Sequence, residues 1–334
     1  VATRTRTTSR SGSPSGLEGL QETSARVLSN VERVIEGKAE AARLALEVML
    51  AEGHLLLEDV PGVGKTMLAK ALARSIDCSV QRIQFTPDLL PSDITGVSVW
   101  DQEQHAFDFK PGAVFANVVL GDEINRASPK TQSALLEAME ERQVSVDGTT
   151  YVLETPFMVI ATQNPIEMEG TYPLPEAQLD RFTARLSMGY PSADAEVEML
   201  EIHGEAEPLD DLEPVTDALE VRKLVEVVRA VHVSEQVRRY VVALVQSTRS
   251  SADLRLGASP RAGLQLVRVA KAHAALAGRD YVLPDDVQEL ALPVLSHRLL
   301  ATPEAQVAGR TPDSVIAQMV DRTPLPEALP GRRR

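Results

Sequence analysis

The chain has 334 residues, 43% hydrophobic and 25% charged, which suits a medium globular domain with a smaller companion. Its 34 basic and 48 acidic residues leave a net charge of −14, and aromatics make up only 4%, which weighs against nucleic acid as the partner. A single cysteine, Cys78, excludes an intrachain disulfide, the six histidines lack metal-ligand spacing, and no stretch reads as a signal peptide or membrane span, so a cytoplasmic protein is expected.

Residues 1–16, VATRTRTTSRSGSPSG, hold almost nothing to bury and are expected to form a disordered tail. From 17 to 203, helical and strand patterns alternate, which argues for an α/β core with a largely parallel sheet. VERVIEGKAEAARLALEVML carries apolar residues at helical spacing. HLLLED is a short apolar run ending in a glycine-bearing loop, as a buried parallel strand should be. VQRIQF, NVVLGDE, PFMVIATQN and ARLSMGY are four further strand candidates. A helix is predicted over SPKTQSALLEAMEE, with Ser128 as N-cap and Pro129 at its first position.

Two interruptions read as projecting hairpins. ITGVSVWDQEQHAFDFKPG (94–112) is two short β segments around a polar turn, and QVSVDGTTYVLE (143–154) alternates around Asp147–Gly148, which favours a type I′ turn. An acidic, proline-containing linker is expected at 204–216. A small all-α domain follows at 217–321, then a loose tail at 322–334. Within the helical part, Pro284 followed by Asp285 and Asp286 is a sound helix start.

The chemistry concentrates in a few places. In DVPGVGKTM the backbone of Gly62, Val63, Gly64, Lys65 and Thr66, after Pro61 and before Met67, is suited to wrap the β- and γ-phosphates of a nucleotide. Lys65 supplies a charge to those phosphates and Thr66 a hydroxyl for Mg²⁺. Asp59 stands where the phosphate-loop pattern has its first glycine, with only slight distortion expected. NVVLGDE ends in adjacent carboxylates, Asp122 for Mg²⁺ and Glu123 as general base toward water. The second acid favours hydrolysis over passive binding. Asn164, ending the ATQN strand, is a candidate for orienting that water, although an ordinary turn asparagine before Pro165 reads the same way. Arg181 in LDRF and Arg261 in GASPRAG are suited by chemistry to a phosphoryl group or equally to salt bridges.

Taken together, EDVPGVGKTMLAKALA, QFTPDLLPSDITG, GDEINRASPKTQSALLEAMEERQVSVDG, ATQNPIEMEGTYPLPEAQLDRF and GASPRAGLQLVRVAKAHA closely resemble the MoxR family of AAA+ ATPases, over about residues 31–321. The resemblance implies a P-loop NTPase core of five parallel strands with a helix-2 insert (94–112) and a pre-sensor hairpin (143–154), followed by a helical lid over the nucleotide. It implies ATP and Mg²⁺ as cofactors. Asn164 matches sensor 1, and Arg181 the arginine finger that reaches a neighbouring subunit. Arg261 matches sensor 2, reporting on the phosphate of its own subunit. Ile35 and Gly37, in VIEG, fall where the adenine contacts lie. Activity is then expected to require a ring, commonly a hexamer, with both hairpins facing the pore or the partner. Gly121 departs from the family's frequent alanine, and Arg126 is either a subunit contact or a packing residue.

Several functions fit such a core. The first is a chaperone-like remodeller of protein clients, frequently ones with a von Willebrand factor A domain. A nucleic-acid motor and a magnesium-chelatase-like subunit are alternatives, as is a nucleotide-gated scaffold. The charge and the non-basic insert weigh against the motor, and the pairing of Glu123 with Arg181 weighs against the scaffold.

Overall fold

The computed structural model describes residues 16–35, 37–60, 62–103, 105–164, 171–190 and 209–325. Most of both expected tails, Pro61 and the first part of the acidic linker lie outside the described residues. Gly16 and Arg322, assigned to the tails, belong instead to helices.

Helix α1 (Gly16–Glu32) and helix α2 (Ala39–Leu50) flank a short turn, so the helical pattern around VIEG is two helices. The core then runs through β1 (Leu55–Glu58), α3 (Lys65–Ser75), β2 (Val80–Gln84) and α4 (Pro91–Thr95). After the hairpin strands β3 (Gly96–Asp101) and β4 (Ala106–Pro111) come β5 (Val118–Asp122) and α5 (Pro129–Glu141). Strands β6 (Gln143–Val146) and β7 (Thr149–Val152) form the second hairpin. The core closes with β8 (Met158–Gln163), α6 (Glu176–Leu179) and β9 (Ala184–Leu186).

Five strands form one parallel sheet in the order β2-β5-β8-β1-β9. Alternation along the strands divides the core in two, because successive side chains point to opposite faces. Leu55, Leu57, Val118, Leu120, Met158 and Ile160 face α1–α3. Leu56, Val119, Val159 and Ala161 face α5 through Leu135, Leu136 and Met139. The central strands β5 and β8 are buried on both faces, whereas β2, at the edge, keeps polar residues. As predicted, Ser128 caps α5, its Oγ accepting the Thr131 N–H.

Both hairpins form. Asp147 and Gly148 take φ of 51° and 79°, the pair of left-handed residues that a type I′ turn needs. Phe109 of the first hairpin stacks on Tyr151 of the second at 3.9 Å, with Phe115 edge-on to Phe109, so the two hairpins pack against each other. The first hairpin exposes Val97, Val99, Trp100 and Phe107.

The second domain holds α7 (Ala218–Ala230), α8 (Glu235–Arg249), α9 (Pro260–Leu276), α10 (Pro284–Leu295), α11 (Pro303–Val307) and α12 (Pro312–Arg322). Asp217, Ser234, Ser259, Thr302 and Thr311 cap their helices through side-chain oxygens. A short antiparallel ladder, β10 (Leu254–Leu256) with β11 (Leu300–Ala301), is added to the predicted helices. The described part of the linker is strapped to the core rather than free. Val215 and Thr216 donate to the Ser75 carbonyl, and Leu209 and Leu212 are buried.

The helical domain docks beside the sheet, against α1, α2 and β9. His273 of α9 meets Glu47 of α2 at 3.0 Å, and Arg185 of β9 meets Asp313 of α12 at 2.6 Å. Its packing is thus lateral, against the helices that precede the phosphate loop and the edge strand beside β1. Among the described residues no helix is long and apolar enough to cross a membrane.

Candidate functional site

Strand β1 delivers the chain to the phosphate loop, where the Asp59 N–H still donates to Gln163 O of β8 at 3.3 Å. Gly62 and Gly64 then adopt φ of 86° and 88°, a region that side-chain-bearing residues avoid. Gly64 hands the chain to α3, whose first residues are Lys65, Thr66 and Met67. The amides of this turn and the positive end of α3 form an anion cradle. Lys65 Nζ donates to the carbonyls of Asp59 at 2.7 Å and Val60 at 3.2 Å. Burial pulls the Lys65 ammonium below its ordinary pKa, while Asp59, Asp122 and Glu123 act in the opposite sense. The loop and the acid pair lie at the same edge of the sheet, where β1 and β5 end.

Asp59, expected only to be tolerated, is a working part of the loop. Its Oδ1 accepts the Val60 N–H, and its Oδ2 accepts the Gly189 N–H at 2.7 Å and the Ser187 hydroxyl at 3.2 Å. Lys38, between α1 and α2, donates to the Gly189 and Tyr190 carbonyls. Residues 187–190 therefore join the loop to the turn that carries Ile35 and Gly37. Ile35 is buried and Gly37 has φ of 70°.

The acid pair closes β5. Asp122 is buried, with Arg82 Nε at 2.6 Å from its Oδ2 and the Thr162 hydroxyl at 3.3 Å from its Oδ1. Glu123 sits at φ 58°, a left-handed conformation that costs roughly 1–3 kcal/mol for a non-glycine residue. Its N–H donates to Thr162 Oγ1 at 2.9 Å, and its carboxylate accepts Gln84 Nε2 at 2.9 Å and lies 3.3 Å from Arg126 Nε. Arg126 thus pairs within its own subunit. Asn164 is buried at the end of β8, directly after the residue that bonds Asp59.

Arg82, Gln84 and Thr162 were not singled out in the sequence. Arg82 and Gln84 alternate on the edge strand, and Gln84 lies in register with Asp122. Two polar residues at alternate positions of a parallel-sheet strand were the available signal. Their target was invisible because β2 and β5 pair across a long insertion.

Among the described residues no group of three or more His, Cys, Asp or Glu forms a metal cage. The donor set instead fits Mg²⁺ held by a hydroxyl and one carboxylate together with phosphate and water, namely Thr66 and Asp122.

Arg181 and Arg261 lie elsewhere. Arg181 Nη2 is 2.9 Å from Glu140 Oε2, and Arg261 Nη1 is 3.1 Å from Glu140 Oε1. Glu140 ends α5, and the neighbouring Met139 carbonyl meets His54, just before β1, at 3.1 Å. The two arginines therefore occupy the edge of the sheet where its strands begin, and Lys65 occupies the edge where they end. The expectation that Arg261 addresses its own subunit's phosphate is not met in this arrangement, because the lateral docking of α9 carries it to the opposite edge. Both arginines line a cavity of about 650 Å³ that also contains Arg142, Arg229, Arg268 and Lys271.

A glycine cradle after β1, two acids closing β5 of the same parallel sheet, and a helical domain packed beside that sheet define the AAA class of phosphate-loop ATPases. Residues 54–184 match the family model described as the ATPase family associated with various cellular activities, and residues 246–319 match the AAA lid domain. The chain is 48% identical to the uncharacterized protein YeaC of Bacillus subtilis, covering 92% of this chain and 97% of that one. It is 42% identical to the chaperone MoxR1 of Mycobacterium tuberculosis, covering 94% and 86%. A solved candidate ATPase from Cytophaga hutchinsonii superposes with a TM-score of 0.86 at 38% identity, covering 92% and 96%. The chain belongs to the MoxR family of AAA+ ATPases.

Proposed function

We propose that this protein hydrolyses ATP in a Mg²⁺-dependent reaction at interfaces between copies of itself, and uses the energy to remodel protein clients. The observation that carries the reading is the opposite placement of Lys65 and the Arg181–Arg261 pair within one subunit. A phosphate bound at Lys65 needs cationic groups for the charge that develops in transfer, and a second copy can bring them. A ring of such contacts, a hexamer in the family's common form, satisfies every site.

Bound Mg²⁺ supplies charge neutralisation at the phosphates. The amides of Gly62–Thr66 and the Lys65 ammonium orient the β- and γ-phosphates. Thr66 and Asp122 are the metal ligands from the chain. Glu123 accepts a proton from the attacking water, which Asn164 orients. Thr162, Arg82 and Gln84 restrain the two carboxylates. Ile35 and Gly37 lie on the adenine side.

The chaperone name of the Mycobacterium relative supports a protein client. The client class, a protein with a von Willebrand factor A domain, follows from the family resemblance. The exposed Trp100–Phe107 pair on the first hairpin, ring centroids 5.2 Å apart, is a suitable apolar contact for it. A net charge of −14 disfavours nucleic acid in that role.

The test is complementation. Glu123→Gln and Arg181→Ala subunits, each inactive alone, are mixed and assayed. If the arginine acts on a neighbour's nucleotide, the mixture turns over ATP well above the sum of its parts. No recovery in mixed oligomers defeats the interface reading. ATP-dependent capture on Glu123→Gln subunits then scores clients, and recovery of nucleic acid alone would replace the protein-client reading with a motor.

A further inference from the structure

Glu140 has a placement that the helix itself does not explain. It stands in the last turn of α5, where the helix dipole disfavours a carboxylate and where no basic residue offsets it. Arg261 is mismatched in the opposite way. It occupies the first turn of α9, where a cation is disfavoured and no acid is present. Neither charge sits where helix stability would put it, yet Glu140 bridges Arg261 and Arg181 at 3.1 Å and 2.9 Å.

The arginines are also held together independently of Glu140. Asp180, adjacent to Arg181, accepts the hydroxyl of Ser259 at 3.0 Å, and Ser259 is the N-cap of the helix bearing Arg261. Asp180 additionally lies 3.0 Å from Nε of the buried Arg298. This clamp fixes the core loop against the helical domain. The other acid lining the cavity, Glu52, is engaged by Arg142 at 2.7 Å and Arg229 at 2.5 Å. The partly exposed Glu140 carboxylate is thus the anion that the two arginines share.

We propose that Glu140 is an internal latch: its carboxylate holds Arg181 and Arg261 in the separate subunit and yields them to the phosphate of a neighbouring subunit's nucleotide. The inference rests on the interface reading above. A nucleotide phosphate carries more charge than one carboxylate and replaces it by anion exchange, with the arginines staying in place. Closing each interface then costs the latch contact, so assembly responds to bound nucleotide. Without the latch, subunits associate at lower concentration.

The experiment measures ATP-dependent association by sedimentation in a Glu123→Gln background, where nucleotide is retained. Adding Glu140→Gln, or Glu140→Ala as a second variant, is expected to lower the half-association concentration about fivefold. The same substitutions in an Arg181→Ala/Arg261→Ala background are expected to change nothing. An unchanged or raised half-association concentration overturns the latch, as does a shift that persists without the arginines, which would assign Glu140 to folding alone. If association with ATP is equally strong with and without Arg181 and Arg261, the interface reading itself fails, and the latch with it. Glu140→Gln in the otherwise wild-type chain is expected to keep kcat at saturating protein. A matching fall in kcat would make Glu140 a positioning residue and overturn the latch.

Discussion

The Asp59 carboxylate accepts the Gly189 N–H at 2.7 Å, joining the start of the phosphate loop to the segment that leaves the last strand of the sheet. Asp59 is buried, and its other oxygen accepts the Val60 N–H within the loop. Asp59→Gly restores the usual loop pattern but removes these bonds, while Asp59→Asn keeps one acceptor oxygen. Nucleotide affinity is expected to fall about tenfold for Asp59→Gly and less for Asp59→Asn, from loss of charged hydrogen bonds. Titration with a fluorescent ATP analogue measures both, and equal affinity in Asp59→Gly would reduce Asp59 to a tolerated turn residue.

Glu123 depends on Gln84. Glu123→Gln is expected to lower kcat by about 10²–10⁴ while ATP binding is retained, as for loss of a general base. Gln84→Ala leaves the base in place but removes the donor 2.9 Å from its Oε2. Its kcat is expected to fall about tenfold with KM nearly constant, the pattern of a misplaced catalytic group. A change confined to KM would show that Gln84 does not hold Glu123.

Gly121 has a packing reason. A Cβ at this position would lie 3.0 Å from Cε2 of Phe85, which is fully buried. The backbone entropy gained by Gly121→Ala, about 0.5–1 kcal/mol, is outweighed by overpacking of about 1–3 kcal/mol. The variant is expected to be less stable than wild type in urea. Equal or greater stability would mean that Phe85 yields.

Two histidines set opposite pH trends. Burial lowers the pKa of His54 from 6.5 to about 4, and its Nδ1 accepts the Val159 N–H, so the neutral ring is the folded form. Its contribution is complete above pH 6.5 and declines as pH falls, by about 2 kcal/mol at pH 5. His54→Asn, which does not protonate, is expected to flatten that acid slope of the urea midpoint. His273 is raised by its bond to Glu47, against burial, with Asp286 adding to the shift and Arg43 opposing it. Its contribution is complete below 6.5 and is lost as pH rises through the higher folded value. His273→Gln is expected to flatten the loss on the alkaline side. Slopes identical to wild type in both variants would remove these histidines from the account.

Much of the fold follows from local pattern. The apolar runs of β1, β5 and β8, Ser128–Pro129 at the start of α5, and Asp147–Gly148 in the second hairpin each state their own conformation, because strand alternation, capping and turn chemistry act over a few residues. The glycine loop and the two acids were legible for the same reason. Their chemistry lies in one short stretch each.

What the sequence could not determine are the contacts made across long separations. The pairing of β2 with β5 brings Arg82 and Gln84 to Asp122 and Glu123. The docking of the helical domain on β9, α1 and α2 removes Arg261 from its own phosphate loop and sets it beside Arg181 on Glu140. Both depend on the order of strands and on which face a helix buries, and these are decided by packing of the whole core rather than by any local run of residues. The glycine loop and the acid pair are each written in one short run of residues, whereas the edge of the sheet that each charge occupies is set by long-range packing.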